Sequence, residues 1–174
     1  ALLESGATVV LTDLNLPSLE SSGRDLKKKI NGENILTIAM DVTNLSDISD
    51  VSNALFSDGL NVDILINNAA IDPKVSGDIG LRESSRLEHF ELDNWNKQIA
   101  VGLTGAFLCS QVFGSQMAKI RSPGVILNIA SDLSVLSPDQ RLYRKEGVPD
   151  DLQPVKPVTY SVIKAGLVGL TRYL

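Results

Sequence analysis

"VDILINNAA" (residues 62–70) is a short apolar run that ends in two asparagines and two alanines. Such a run, bounded by turn-forming residues, predicts a buried strand followed by a turn. Three more stretches have the same form: ATVVLTDL (7–14), ILTIAMDV (35–42) and PGVILNIAS (123–131). Strands that are apolar throughout are typical of a parallel sheet with both faces covered.

The stretches between these strands have helical character. We expect helices at LPSLESSGRDLKKKI (16–30), at SDISDVSNALFSD (46–58), along residues 92–120 with their apolar stripe, and from Thr159 onwards. Residues 71–90 and 132–156 are rich in turn-forming residues, and we expect loops there. Strands that alternate with helices predict an α/β fold with a doubly wound, Rossmann-like parallel sheet.

The composition excludes several classes of protein. The 174 residues carry a net charge of −5 and show no basic patch, so we expect no nucleic-acid partner. Runs such as VDILI are too short to cross a membrane, and we expect no membrane partner. Cys109 is the single cysteine, which excludes a disulfide framework and favours a cytoplasmic location with a buried, inert thiol.

Both ends of the chain predict a piece of a larger domain. The first residue is not methionine, and ALLESGATVV begins like the last turns of a helix, with Gly6 as the stop signal. The other end, at Leu174, stops inside a helix that has already begun. We therefore expect residues 1–174 to form a single, partial dinucleotide-binding domain with an incomplete sheet.

Polar residues follow each predicted strand. In doubly wound sheets ligands bind beyond the carboxyl ends of the strands, where these residues should lie. Each of them could instead be a helix cap or a turn former, since Asp, Asn and Ser favour such places. Their recurrence at all four strand ends favours a binding site. They are Asp13, Asp41, the NNAA of 67–70, and Ser131.

Tyr160 and Lys164 are four residues apart in the last predicted helix, so they lie on one face of it. A lysine there holds a positive charge near the phenol and favours its ionised form. An ionised phenol can act as a general base towards an alcohol. Taken alone, the pair also fits an exposed aromatic residue beside a solvated lysine.

Six stretches together resemble the short-chain dehydrogenase/reductase family: GATVVLTD, AMDVTN, VDILINNAA, GLTGAFL, GVILNIAS and YSVIKAGLVGLTR. They span nearly the whole chain in the family's order. The resemblance implies an NAD(P)-dependent oxidoreductase that interconverts a secondary alcohol and a carbonyl compound. It makes Tyr160 the general acid/base. Ser131 would hydrogen-bond the substrate oxygen, and Lys164 would hydrogen-bond the nicotinamide ribose and favour the ionised Tyr160.

The resemblance also assigns cofactor contacts. Asp13 would bind the adenosine ribose, and its carboxylate would repel a 2′-phosphate. Leu14 follows where an arginine could accommodate that phosphate, so we expect NAD rather than NADP. Asp41 and Val42 would flank the adenine, and Asn67 and Ala69 would line the cofactor together with Tyr160 and Lys164. No cluster has the spacing of a metal site.

The chain departs from the family's pattern in three ways. The glycine-rich turn and the C-terminal part of the family are missing, and we expect residues 1–174 alone to be inactive and unstable. Gly102 stands where the family has an asparagine, which either impairs proton relay or is a harmless small residue between helices. The segment SPDQRLYRKEGVPDDLQPVKP (137–157) is longer than usual. It could be a lid whose Arg141, Arg144 or Lys145 meets the substrate, or a solvated surface insertion.

The resemblance further implies a homodimer or homotetramer. Small residues at Ala165, Gly166 and Gly169 would allow close helix approach, and the apolar stripe of the long helix includes Val101, Phe107 and Phe113. The expected partner is otherwise a small-molecule alcohol or carbonyl substrate. Two alternatives stay open: a non-catalytic dinucleotide-binding or scaffold protein of the same fold, and a relative of the sugar-nucleotide epimerases and dehydratases.

Overall fold

Two pairs of parallel strands organise the fold. The structure is a computed structural model that describes residues 1–30, 34–71, 85–120 and 123–174. The chain divides into two compact units, Ala1–Asn61 and Val62–Leu174, and each unit contains one of the strand pairs.

The first unit consists of β1 (Val9–Asp13), α1 (Leu16–Ile30), β2 (Ile35–Ala39) and α2 (Leu45–Ser57). β1 and β2 run parallel, with Val9 opposite Ile35 and Asp13 opposite Ala39. Parallel neighbours need a crossover connection, and α1 supplies it. Gly23 allows α1 to approach β2 closely, because a Cβ atom there would lie 2.7 Å from Thr37 Cγ2.

A side-chain cap fixes the start of α2. The Asn44 side chain accepts hydrogen bonds from the backbone N–H groups of Ser46 and Asp47, which have no partner within the helix. Gly59 follows the helix with φ of +75°, a conformation that glycine adopts at little cost. The apolar face that this helix buries is formed by Ile48, Val51 and Leu55.

The second unit consists of β3 (Ile64–Asn67), α3 (Leu92–Ile120), β4 (Val125–Asn128) and α4 (Val158–Tyr173). β3 and β4 run parallel, with Ile64 opposite Val125 and Asn67 opposite Asn128. α3 contains two π-helical turns, at Ala100–Thr104 and Ser110–Gly114. π turns inside α-helices are rare and occur often at functional sites.

The β3–β4 pair has one covered face and one open face. Period-two alternation places Leu65, Asn67, Ile126 and Asn128 on the partly buried face. The other face carries Ile64, Ile66, Val125 and Leu127, which are between 40% and 57% exposed. Among the described residues, both faces of this strand pair are therefore apolar, but only one face is partly buried. This is the pattern of an incomplete doubly wound sheet.

α3 and α4 pack against each other through small and apolar residues. Ala106 of α3 forms a buried cluster with Ile163 and Leu167 of α4. Gly166 of α4 lies against Leu103, and a Cβ atom at Gly166 would be 2.8 Å from Leu103 Cδ2. One of the three small residues expected at a contact between subunits therefore serves the packing within the chain.

The predicted α/β fold with an incomplete, Rossmann-like parallel sheet is confirmed. α1 has the predicted bounds, and the four strands are shorter than predicted by a few residues at their ends. Residues 132–156 are mainly loop, with single 3₁₀ turns at Asp132–Ser134, Gln140–Tyr143 and Asp150–Leu152. Most of the loop predicted at 71–90 lies outside the described residues.

The first residues differ in detail from the expected helix end. Residues 2–6 form hydrogen-bonded turns, in which the Ser5 N–H donates to the Ala1 carbonyl oxygen. Gly6 has φ of +84°, which suits a residue that ends such a turn.

By length and composition alone, α3 could cross a membrane, and within the described part of the chain it is the one helix that could. This is weak evidence, because the core helix of a soluble protein passes the same test. Several of its apolar side chains, including Cys109, Phe113 and Met117, are buried inside the protein.

Candidate active site

Tyr160, Lys164 and the end of β4 come together in the second unit. α4 places Tyr160 and Lys164 on one face, and Lys164 Nζ lies 5.6 Å from the centre of the Tyr160 ring. The same Nζ donates a hydrogen bond of 2.5 Å to the carbonyl oxygen of Ile129. Ile129 follows β4 directly and precedes Ser131 by two residues, so this bond joins α4 to the strand end that carries Ser131.

The Lys164 side chain is buried, with 9% of its surface exposed. A buried ammonium group is costly unless an acceptor compensates for the water it has lost. The Ile129 carbonyl is such an acceptor, since the chain leaves the ladder of β4 just before it. The contact therefore offsets the cost of burying the ammonium group, and it forms because α4 places Lys164 beside the end of β4.

Ser131 begins the 3₁₀ turn at Asp132–Ser134. Its Oγ accepts a hydrogen bond of 3.2 Å from the Leu133 N–H, and its own N–H donates to Ser134 Oγ at 3.3 Å. These two bonds form a capping box, in which two side chains satisfy two backbone N–H groups. The backbone of Ser131 is thereby held in an extended conformation at the end of the strand.

Asp132 is a neighbour of Ser131 that sequence reasoning missed. Ser131 Oγ donates a hydrogen bond of 2.8 Å to Asp132 Oδ1, which also accepts the Leu133 N–H at 2.9 Å. The bond from Ser131, followed by that from Leu133, lowers the pKa of Asp132 below its ordinary value. The S-x-x-S pattern at 131–134 was the signal that could have predicted the turn.

Lys156 is a second missed neighbour, one helical turn before Tyr160. Its Nζ lies 3.7 Å from the centre of the Tyr160 ring, within the range of a cation–π interaction. The spacing Lys156-x-x-x-Tyr160-x-x-x-Lys164 was visible in the sequence. Lys156, however, lies before the first residue of α4, Val158. Helical periodicity predicts neighbours only within a helix, so it could not predict this contact.

Asn67 links four elements of the second unit. Its Nδ2 donates to Asn128 Oδ1 at 2.8 Å and to Ser110 Oγ at 3.1 Å. Asn128 in turn donates to Thr171 Oγ1 of α4 at 2.9 Å. The network joins β3, β4, α3 and α4 at the carboxyl ends of the strands, and the exposed Ala69 follows just beyond it.

The first unit brings the other predicted cofactor residues together. Asp13 ends β1, and its Oδ1 accepts the Asn15 N–H at 2.8 Å, as a turn-forming aspartate does. Asp41 Oδ1 accepts both the N–H and the hydroxyl of Thr43, at 2.8 and 2.7 Å. The Met40 N–H donates to the Asp13 carbonyl, so Asp13 lies beside the residues that lead to Asp41 and Val42.

The structure thus forms two groups of candidate residues, one in each unit. Asp13, Asp41 and Val42 are in the first unit. The second unit contains Asn67, Ala69, Ser131, Tyr160 and Lys164.

A sequence model of the short chain dehydrogenase family matches residues 1–143, which is most of the chain. The chain belongs to the short-chain dehydrogenase family. The predicted resemblance is therefore confirmed, and the match runs across both units.

Relatives in the family are named as dehydrogenases or reductases. Short chain dehydrogenase/reductase dpchG of Colletotrichum higginsianum is 28% identical, over 99% of this chain and 54% of its own length. NAD-dependent glycerol dehydrogenase of Listeria innocua is also 28% identical, over 98% of this chain and 55% of its own length. The chain therefore spans about half the length of these relatives.

Solved structures show the same fold. The gluconate 5-dehydrogenase of Burkholderia cenocepacia J2315, solved in complex with NADP and tartrate, superposes with a TM-score of 0.75. It is 23% identical, and the match covers 99% of this chain and 56% of the other. At this identity the likeness establishes the fold alone.

The arginines of the segment 137–157 pair with acids of the same segment. Arg141 makes two hydrogen bonds to Asp139, at 2.9 and 2.8 Å, and Arg144 pairs with Asp150. The hydrogen bonds from Arg141 lower the pKa of Asp139. These contacts favour the surface-insertion interpretation over a lid that uses the two arginines.

A buried glutamine holds this segment together. The Gln153 side chain accepts the Lys145 N–H at 2.8 Å and donates to the carbonyl oxygens of Lys145 and Val148. The Lys156 N–H donates to Gln140 Oε1, which ties the end of the segment to its middle. These bonds hold the segment that leads to Lys156, and Lys156 itself is bonded through its backbone N–H.

A cavity of about 380 Å³ lies beside the first turn of α4. Its walls include Arg86, Leu87, Lys156, Pro157 and Ser161, and Tyr160 is not among the lining residues. Among the described residues, the Ser161 hydroxyl is buried without a hydrogen-bond partner. The contacts of Lys164 with the Tyr160 ring and with the Ile129 carbonyl identify the candidate active site better than this cavity does.

The structure does not add a thiol or metal centre. Burial raises the pKa of Cys109 to about 11, so its thiol is protonated at neutral pH, as expected for an inert cysteine. In the ranges that the structure describes, no group of three His, Cys, Asp or Glu residues could hold a metal ion.

Gly102 is explained by packing. A Cβ atom at this position would lie 2.9 Å from Ile163 Cγ2 and 3.1 Å from Ile163 Cδ1. Ile163 immediately precedes Lys164, so any side chain at Gly102 would press on α4 beside the candidate site. The harmless small-residue interpretation therefore has a direct contact in its support.

We predict that Gly102→Ala destabilises the full-length protein. Overpacking against Ile163 costs about 1–3 kcal/mol, and this exceeds the gain of about 0.5–1 kcal/mol from removing a helical glycine. The matched control is Gly102→Ala in an Ile163→Ala background, where the side-chain atoms that the added methyl group would meet are absent. Urea unfolding should show a lower midpoint for Gly102→Ala than for the unmutated protein, and no lowering by Gly102→Ala in the Ile163→Ala background. An equal loss in both backgrounds would refute the packing explanation.

Proposed function

We propose that the full-length protein is an NAD-dependent short-chain dehydrogenase/reductase that interconverts a secondary alcohol and a carbonyl compound. The hydrogen bond from Lys164 to the Ile129 carbonyl is the observation that carries the proposal. It joins the helix with Tyr160 to the strand end with Ser131, so the three catalytic candidates share one place in the fold. Membership of the family supports the same reaction class.

In this proposal Tyr160 is the general acid/base. Its phenol oxygen takes the proton of the alcohol in oxidation and returns a proton to the carbonyl oxygen in reduction. The Lys164 ammonium lies 5.6 Å from the centre of the Tyr160 ring, so a positive charge is close to the place of proton transfer. The Ser131 hydroxyl donates a hydrogen bond to the substrate oxygen, where negative charge develops.

The residues present fit a nicotinamide dinucleotide. Asp13 is an exposed carboxylate at the carboxyl end of β1, and a carboxylate can accept both hydroxyls of a ribose. Lys164 offers ammonium hydrogens as donors to a second ribose. The cofactor, when bound, supplies the hydride acceptor or donor. The other residues proposed to contact it are Asp41, Val42, Asn67, Ala69 and Tyr160.

The proposal favours NAD because of Asp13. Its negative charge would lie near the 2′ position of the adenosine ribose, and the 2′-phosphate of NADP would be repelled. The following residue is the exposed Leu14, which has no charge to offset that repulsion.

The non-catalytic alternative loses one of its arguments. Gly102 indicated an impaired proton relay, but its contact with Ile163 gives the residue a packing role. Among the residues that the structure describes, no contact favours a sugar-nucleotide epimerase or dehydratase, and we retain the dehydrogenase as the proposed function.

We also propose that residues 1–174 belong to one dinucleotide-binding domain, because the family match extends across both units. The full-length protein would be cytoplasmic and would associate with itself through α3 and α4. Exposed residues available for this contact are Phe107, Val162, Ala165 and Gly169.

We predict that Tyr160→Phe lowers kcat by about 100-fold or more, since general acid/base groups contribute roughly 10²–10⁴-fold. The change removes the proton carrier and almost no volume. Turnover would be measured with NAD and a panel of glycerol, D-threitol, 2-butanol and cyclohexanol. Tyr173→Phe is the control, because Tyr173 is 86% exposed and far along α4.

The unfolding midpoint should change little in either variant. Near-normal turnover by Tyr160→Phe would exclude it as the acid/base. No turnover by the unmutated protein with any alcohol of the panel would count against the dehydrogenase itself.

We predict that kcat/KM is higher with NAD than with NADP by about tenfold or more, as expected for a repelled phosphate charge. Asp13→Asn should reduce this preference, mainly through a lower KM for NADP. Asp50→Asn removes an exposed carboxylate of α2 and should leave the preference unchanged. A preference of the unmutated protein for NADP would contradict the role given to Asp13.

A further inference from the structure

The Ser131 hydroxyl has a single proton, and the neighbouring groups determine which acceptor it faces. Ser131 Oγ lies 2.8 Å from Asp132 Oδ1. Asp132 is an exposed aspartate and therefore a carboxylate at neutral pH, and a carboxylate only accepts hydrogen bonds. Ser131 must therefore be the donor in this pair.

The other hydrogen bond of Ser131 Oγ does not make that proton available to another acceptor. The Leu133 N–H donates to the oxygen at 3.2 Å and occupies one of its lone pairs. Asp132 Oδ1 also accepts the Leu133 N–H, so the carboxylate is held on the same side of the turn as the hydroxyl. In this arrangement Ser131 can accept another hydrogen bond, but it has no proton left to donate.

A substrate oxygen needs that proton. A carbonyl oxygen, or an oxygen on which negative charge develops, binds only to a donor. The substrate and Asp132 must therefore compete for one hydroxyl hydrogen. Rotation of the hydroxyl towards the substrate breaks the bond to Asp132 and leaves the Leu133 N–H as a donor to the carboxylate.

We propose that Asp132 is a positioning residue that holds the Ser131 hydroxyl proton away from the substrate oxygen until substrate binds. This inference rests on the proposed function for its consequence in catalysis. The hydrogen bond itself is a property of the free protein. Asp132 has a structural reason to be present, because it accepts the Leu133 N–H and supports the turn.

Removing Asp132 should raise kcat/KM, whereas the loss of a purely structural residue would lower it. Asp132→Ala frees the Ser131 hydroxyl, and we expect kcat/KM to rise by about threefold to tenfold, the usual effect of one competing hydrogen bond. The same variant should unfold at a slightly lower temperature because the turn loses an acceptor. A residue with only a structural role would lower both quantities.

The experiment is a double-mutant cycle in the full-length protein with the alcohol of the panel that gives the highest turnover. The rise caused by Asp132→Ala should disappear in the Ser131→Ala background, since no hydroxyl remains to be freed. Asp132→Asn keeps an acceptor without the charge and should give an intermediate value. A loss of kcat/KM in Asp132→Ala, or a rise that persists without the Ser131 hydroxyl, would overturn the proposal.

A second measurement does not depend on activity. Carbon-13 NMR can follow the titration of the Asp132 carboxylate in the free full-length protein. Ser131→Ala should raise the pKa of Asp132 towards its ordinary value, and Ser137→Ala, an exposed serine outside the turn, should not. An unchanged titration in Ser131→Ala would overturn the proposal whatever the kinetics. Failure of the whole alcohol panel would instead contradict the proposed function.

Discussion

The arrangement of the candidate active site depends on the contact between the Lys164 ammonium and the Ile129 carbonyl. The Lys164 ammonium is withdrawn from water, so it needs this acceptor to offset the cost of its burial. Losing such a partner costs about 1–3 kcal/mol. Because Ile129 lies between β4 and Ser131, and Lys164 lies one turn from Tyr160, a single bond ties the strand end that carries Ser131 to the helix that carries Tyr160.

The surrounding packing makes that alignment possible. Gly102 and Gly166 let α3 and α4 approach until Ile163 and Leu103 fill the space between them. The network of Asn67, Asn128 and Thr171 fixes the strand ends to the same helix. A reactive side chain on a packed helix or strand end has a more precise position than one on a loop. Proton transfer needs this precision, because donor and acceptor atoms must stay within hydrogen-bond distance.

Much of the fold was readable from the sequence. The strands followed from short apolar runs that end in polar residues, and α1 followed from its turn-bounded pattern with a basic end. The shared face of Tyr160 and Lys164 followed from helical periodicity. These features depend on residues close in sequence, where local geometry decides the outcome.

The contacts that tune the site were not readable in this way. The acceptor of Lys164 lies 35 residues away on another element. The reason for Gly102 is Ile163, which only the packing of two helices reveals. The Ser131–Asp132 bond joins adjacent residues, yet its donor direction depends on the turn conformation and on the charge of Asp132. Lys156 reaches Tyr160 because the preceding segment is tied by Gln140 and Gln153.

The most direct test of this account is the kcat of the full-length protein with Lys164→Met, compared with Lys97→Met on the exposed side of α3. Methionine matches the unbranched apolar stem of the lysine side chain up to Cε but removes the ammonium donor and its charge. The account predicts that kcat falls by about 100-fold or more in Lys164→Met, as for other groups that enable proton transfer, and stays near normal in Lys97→Met. A kcat within about threefold of the unmutated value in Lys164→Met, below the smallest effect expected of such a group, would contradict it.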